Sequence, residues 1–88
     1  MKKIVLLSPK DNVAVAAQDI EKGEECIVIG NGSTILAEED ISFGHKISLR
    51  NIPCGEPIMK YGEVIARAKK DIMQGTHVHI HNMIGVIE

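Results

Sequence analysis

One five-residue pattern recurs four times along the chain: Asp19-Ile20-Glu21-Lys22-Gly23, Asp40-Ile41-Ser42-Phe43-Gly44, Asn51-Ile52-Pro53-Cys54-Gly55 and Asp71-Ile72-Met73-Gln74-Gly75. Each begins with a short acid or amide that can close on nearby backbone, and ends with a glycine suited to the positive-φ position of a turn. The isoleucine between them anchors the corner to a core. The starts, at positions 19, 40, 51 and 71, are too irregular for a solenoid. The recurrence is therefore one of turn chemistry, a strand connector used four times.

What lies between the corners is short and branched. Fourteen isoleucines and seven valines stand against four leucines, and Phe43 and Tyr61 are the only aromatic residues. Side chains stiff at the first torsion suit a pleated surface, whereas a helical bundle would favour Leu and Ala. The apolar segments, often alternating, are residues 4–7, 13–17, 26–29, 34–37, 46–49, 63–68, 76–81 and 84–87. They predict a mainly β fold of seven or eight short strands, compact and bent at glycine-containing turns. Residues 63–70 also suit one or two helical turns, because Ala66 and Ala68 fit either structure. At 88 residues the chain is expected to form a single domain over 1–88. It contains no apolar run near the roughly 20 residues a membrane-spanning helix needs, and Met1-Lys2-Lys3 is followed by too short an apolar stretch for a signal sequence. A cytoplasmic location is expected, with no membrane partner.

Two further classes recede on composition. A formal charge of -2 and an aromatic content of 2% give a nucleic acid neither phosphate attraction nor stacking platforms. Cys26 and Cys54 are too far apart for a C-x-x-C motif, so reduced structural thiols are expected. The charge is uneven. Residues 1–40 hold four lysines against eight acids, whereas residues 41–82 hold six basic residues against three acids, together with all four histidines. The second half can hold an anion; equally, both halves can be solvated faces.

Three constellations carry possible chemistry. In Thr76-His77-Val78-His79-Ile80-His81-Asn82, a strand would line His77, His79 and His81 on one face and send Val78 and Ile80 into the core. Two histidines one residue apart can share a metal ion if another element completes the set, whereas His77 and His81 would lie too far apart. The same pattern also describes an exposed or subunit-contacting face. Gly44-His45-Lys46 follows a corner and can present a proton donor and a fixed positive charge to a carboxylate, or be an ordinary solvated turn. Lys60-Tyr61-Gly62 contains the single tyrosine, able to orient a substrate or simply to sit at an edge.

Taken in order, Asp11-Asn12-Val13-Ala14-Val15-Ala16, Gly44-His45-Lys46-Ile47, Ile58-Met59-Lys60-Tyr61-Gly62 and His77-Val78-His79-Ile80-His81-Asn82 resemble the N-terminal domain of the altronate and galactarate dehydratase family, over almost the whole chain. The resemblance implies a SAF-type β-clip fold. It also implies a place in a hydro-lyase acting on a sugar acid such as altronate, as a small subunit beside a large catalytic subunit. The family includes sulfolactate sulfo-lyase, in which this domain is a separate small subunit. His45, Lys46, Lys60, Tyr61 and Asn82 become substrate-binding candidates, and His79 and His81 metal-proximal ones. The resemblance further implies a divalent metal, Fe2+ or Mn2+, bound mainly by the large subunit. Self-association, and a non-catalytic module binding a carbohydrate or protein, remain open alternatives. One position departs: where relatives often carry histidine three residues before the Asp-Asn pair, this chain has Ser8.

Overall fold

The computed structural model describes residues 1–85. Their regular structure is all strand: β1 (Lys2–Val5), β2 (Val13–Ala16), β3 (Glu25–Ile29), β4 (Thr34–Leu36), β5 (Lys46–Ser48), β6 (Pro57–Lys60), β7 (Glu63–Ala68), β8 (His77–Val78) and β9 (Met83–Gly85). Among the described residues no helix is long and apolar enough to cross a membrane. A six-stranded sheet runs β4-β3-β1-β2-β5-β8 and a three-stranded one β6-β7-β9. Only the β1/β3 pairing is parallel; the others are antiparallel.

Nine strands replace the expected seven or eight, and the differences have physical causes. The strand outside the expected segments is β6, which begins at Pro57. This proline opens an edge strand, where its missing N–H costs the ladder nothing. Residues 63–68 resolve as strand, with Ala66 and Ala68 buried. The strand expected over 76–81 shrinks to His77–Val78, since the Asn82 side chain accepts the His79 N–H (3.0 Å) and donates to the His77 carbonyl (2.8 Å), turning the chain away. Ile80 consequently lies 73% exposed, not in the core. The segment expected over 84–87 starts one residue earlier, and its last two positions lie outside the described residues.

The four corners do not act singly. They clasp in pairs, the first with the second and the third with the fourth. Ile20 and Ile41 exchange both backbone hydrogen bonds at 2.8 Å, and Ile52 and Ile72 do the same at 2.7 and 2.8 Å. Each acid or amide caps its partner's turn. Asp19 accepts the Phe43 N–H, Asp40 the Lys22 N–H, Asn51 the Gln74 N–H and Asp71 the Cys54 N–H, all at 2.8–2.9 Å. The glycines, with φ of 92°, 84°, 87° and 83°, hold the third position of turns closed by Glu24, His45, Glu56 and Thr76, the left-handed geometry of a type II turn.

Each glycine N–H then donates to a buried small residue of the partner: Gly23 to Ala37, Gly44 to Ala16, Gly55 to Ala68 and Gly75 to Ser48. That small residue always stands three positions before the acid or amide. The true repeat is therefore eight residues long: small-x-x-Asx-Ile-x-x-Gly. Its isoleucines are all at most 2% exposed, and each clasp closes one of two cores. Ile20 and Ile41 join Ile4, Ala14, Val28 and Ile47 on one face of the large sheet. Ile52 and Ile72 join Val13, Val78, Ile58 and Ala66 between the other face and the small sheet.

Candidate functional site

The first clasp sets His45. Its N–H donates to the Ser42 carbonyl and its own carbonyl accepts the Ala16 N–H, both at 2.9 Å, so its backbone is held from both sides. Across the β5/β8 pairing, His77 stands opposite Ile47. His45 Nδ1 and His77 Nε2 are 2.8 Å apart. With ring centroids at 5.0 Å and planes 22° apart, nitrogens that close must meet edge to edge; a face-to-face stack cannot bring them there. One proton lies between the two rings, and the tautomer decides which donates. His79 stacks on His45 (4.7 Å, 6°) and lies 5.4 Å from His77.

His81 completes the group. Its ring centroid is 5.2 Å from that of His77, a closeness the straight-strand expectation excluded. The turn after Val78 folds it back. All four histidines, from two distant sequence segments, thus form one cluster at the β5/β8 edge. Asn82, 4% exposed, spends its amide on the His77 carbonyl and His79 N–H, so its direct work here is to hold the histidine turn.

Two of the four rings, His77 and His79, are disfavoured as cations. Desolvation, then the charges of His45, His81 and His79, hold the His77 pKa below the ordinary imidazole value, with Glu39 opposing. For His79 the same direction comes from desolvation, then His45, Lys46 and His81. Among the described residues no three His, Cys, Asp or Glu side chains converge as a metal site, and His45 and His77 commit a nitrogen each to one another. The described residues alone do not form a complete metal centre.

Lys46 leaves β5 on the opposite face. It pairs in register with Val15 and Val78, where burial and then the charge of Lys60 lower its pKa. Lys60 and Tyr61 sit at the β6/β7 turn, whose tip strains the backbone: Tyr61 has φ of 57°. That conformation is held by Asp11, which accepts the Tyr61 N–H at 3.0 Å and the Gly62 N–H at 2.8 Å. Asn12 pins the same strand, donating to the Pro57 carbonyl and accepting the Met59 N–H, both at 2.8 Å. Asp11 and Asn12 are 9% and 1% exposed. The sequence marked this pair only as a motif fragment; buried adjacent polar residues are the signal that they position something. Ser8 lies beside the same tip, its hydroxyl 3.2 Å from where a Gly62 side chain would start. The thiols are both free, Cys26 buried and Cys54 exposed.

These strands make a small β-clip-like domain with a histidine and lysine surface, and one family model matches it almost throughout. It is the altronate/galactarate dehydratase SAF domain, aligned over residues 2–85. The chain belongs to this family. It is 42% identical over 82 residues to altronate dehydratase of Bacillus subtilis (strain 168), covering 93% of this chain and 16% of that one. Altronate dehydratase of Escherichia coli (strain K12) is 43% identical over 72 residues, 82% of this chain and 14% of the relative. The (2R)-sulfolactate sulfo-lyase subunit alpha of Paracoccus pantotrophus is 37% identical over 59 residues, 65% of this chain and 88% of the subunit. The chain therefore spans about a sixth of the altronate dehydratases it matches, but most of the length of the sulfo-lyase subunit.

Proposed function

We propose that this chain is the small subunit of a sugar-acid hydro-lyase of the altronate dehydratase kind, forming the substrate site with a separate large catalytic chain in the cytoplasm. The observation that carries the reading is that Lys46, Lys60 and Tyr61 stand around an open surface, with the histidine cluster at the adjoining edge, rather than inside a cavity. Tyr61 is 67% exposed. Such a half-site needs a second wall before water can be excluded. The relative named subunit alpha supports a stand-alone role for the domain.

The reaction removes water across two carbons. The proton α to the carboxylate goes to a base, its electron pair forms the carbon–carbon double bond, and the β carbon–oxygen bond breaks with a proton delivered to the departing hydroxyl. Lys46 and Lys60 would oppose the substrate carboxylate, and Tyr61 would hydrogen-bond a hydroxyl. His45 suits proton work. If its Nδ1–H donates to His77, its Nε2 accepts; if His77 donates, the Nε2–H of His45 can give a proton. A divalent metal, Fe2+ or Mn2+, would polarise the carboxylate or leaving hydroxyl. We assign it mainly to the large chain, with His79 and His81 the side chains this chain would offer.

Coverage of most of the subunit alpha relative favours a second reading, in which sulfite leaves from sulfolactate on the same scaffold. Purifying the chain with and without a large dehydratase-like chain of the same organism, and assaying altronate, galactarate and sulfolactate, tests both. Activity is expected only from the pair, and full activity from the 88 residues alone refutes the two-chain reading. Lys46→Ala should lose turnover with assembly intact; if it loses affinity alone, the domain is a binding module.

A further inference from the structure

Part of the large sheet's second face is uncovered. Register aligns Val5 with Val15 and Val15 with Lys46 across β1, β2 and β5, on the side opposite the core residues Ile4, Ala14, Ala16 and Ile47. The small sheet covers this second face at Val13 and Val78 and stops short of the rest. What it leaves is an open groove of ≈ 370 Å³ whose apolar lining comes from Val5, Leu7, Val15, Ala17, Phe43 and Tyr61, with Gly44 and Lys60 at its rim. The two aromatic residues of the chain both stand here, and each is 67% exposed.

The fold itself does not require Phe43. It occupies the second position of a clasp turn, and the equivalent residues of the other three turns are Lys22, Cys54 and Gln74. Its N–H is the part the fold uses, donating to Asp19 at 2.9 Å. Phe43 instead extends the apolar patch of Val5, Leu7, Val15 and Tyr61, and a contiguous exposed patch of this kind marks a contact with another protein. A polyhydroxy acid does not suit the groove, because valine, leucine and phenylalanine would strip water from its hydroxyls and return no hydrogen bonds.

We propose that this groove is where the large lyase chain docks, with Phe43 as the anchor that inserts into that chain. The inference rests on the two-chain reading above. Two observations select this occupant over others. In the Bacillus subtilis altronate dehydratase the matched segment is only 16% of the chain, so in that relative the domain is joined to a much larger body able to cover it. The groove is also continuous with the Lys46, Lys60 and Tyr61 surface, so a chain seated there closes that surface from water.

The test measures binding of the purified chain to a large dehydratase-like chain of the same organism, by calorimetry, for wild type, Phe43→Asp, Leu7→Glu and a control, Leu36→Lys, on the edge strand β4. Circular dichroism melts first establish that each variant is folded. Phe43→Asp and Leu7→Glu should bind at least roughly tenfold more weakly, as expected for losing a buried anchor, and Leu36→Lys should bind like wild type. If wild type binds and Phe43→Asp binds equally well, the docking face is overturned while the two-chain reading stands. If wild type does not bind at all, the two-chain reading fails, and this inference with it. A wild-type homodimer in light scattering that Phe43→Asp converts to monomer overturns it too, since a second copy then fills the groove.

Discussion

Alanine placed at equivalent glycines of the clasp turns should not cost the same, and the difference can be worked from the structure. Gly23, Gly55 and Gly75 share one backbone conformation, with φ of 92°, 87° and 83°, so each alanine carries the left-handed penalty of roughly 1–2 kcal/mol. A side chain begun at Gly23 or Gly55 meets nothing within 4 Å. At Gly75 it runs into the Leu36 carbonyl oxygen and lies 3.3 Å from Glu38 Cγ. The carbonyl belongs to β4 and cannot rotate aside as a flexible side chain would. Relieving the overlap strains the bonds from Gly75 N–H to Ser48 and from Glu38 N–H to the Gly75 carbonyl, an overpacking cost of about 1–3 kcal/mol more.

Gly23→Ala and Gly55→Ala should therefore lose roughly 1–2 kcal/mol and Gly75→Ala about 2–5 kcal/mol. In a domain of this size each kcal/mol moves the melting temperature by about 4–8 °C. Total stability of about 0.05–0.15 kcal/mol per residue leaves Gly75→Ala close to the limit of folding. Thermal melts by circular dichroism, with urea titration to fix the slope, read the series. A Gly75→Ala melting temperature equal to or above that of Gly23→Ala would refute the close approach of the two elements.

Asp11→Ala strands the Tyr61 and Gly62 N–H groups and should lose about 3–6 kcal/mol in urea denaturation, from two charge-assisted bonds of about 1.5–3 kcal/mol each; a loss below about 1 kcal/mol contradicts the assigned role. Asp11→Asn keeps one acceptor and should fall between. Burial, then the charge of Glu24, raises the Cys26 pKa above the ordinary thiol value of 9.0. The folded state thus holds its proton more tightly than the unfolded one. That stability is fully present below pH 9.0 and is lost as the pH rises from there through the folded value. Melting temperatures from pH 8 to about 10.5 should fall more steeply for wild type than for Cys26→Ala, and parallel curves would contradict this. A thiol reagent should modify Cys54 quickly in the native protein and Cys26 only on unfolding; two fast thiols would show that Cys26 is not sealed.

The corners and the strand chemistry were legible because they are local. Asx, Ile and Gly at fixed offsets define a turn wherever they stand, and most strands show themselves as branched runs between them. Partnership was not local. Nothing within Asp19–Gly23 says that its cap lies on Phe43, and the small residue that receives each glycine N–H sits outside the five-residue pattern. The edge strand that opens at Pro57 was hidden for a similar reason, since only the sheet order shows that the missing donor faces no neighbour. At the candidate site, the motif order brought out His45, Lys46, Lys60 and Tyr61. The fold adds that His45 and His77 share a proton and that Lys46 leaves the sheet on the other side. His81 joined the cluster through a turn that an alternating pattern conceals, because Asn82 captures backbone that would otherwise extend β8.

The clasp also has a chemical handedness. Its near-symmetry makes Glu24-Glu25, after Gly23, the counterpart of His45-Lys46, after Gly44: two corners with the same turn, the same backbone bonds and opposite charge. An anion approaching the first clasp thus meets two mountings of one shape, one attracting and the other repelling. The uneven charge along the sequence becomes, in three dimensions, a choice between twins. If the proposed substrate acid binds at His45-Lys46, choosing that corner needs no difference in backbone, and exchanging the side chains alone would move or abolish the preference.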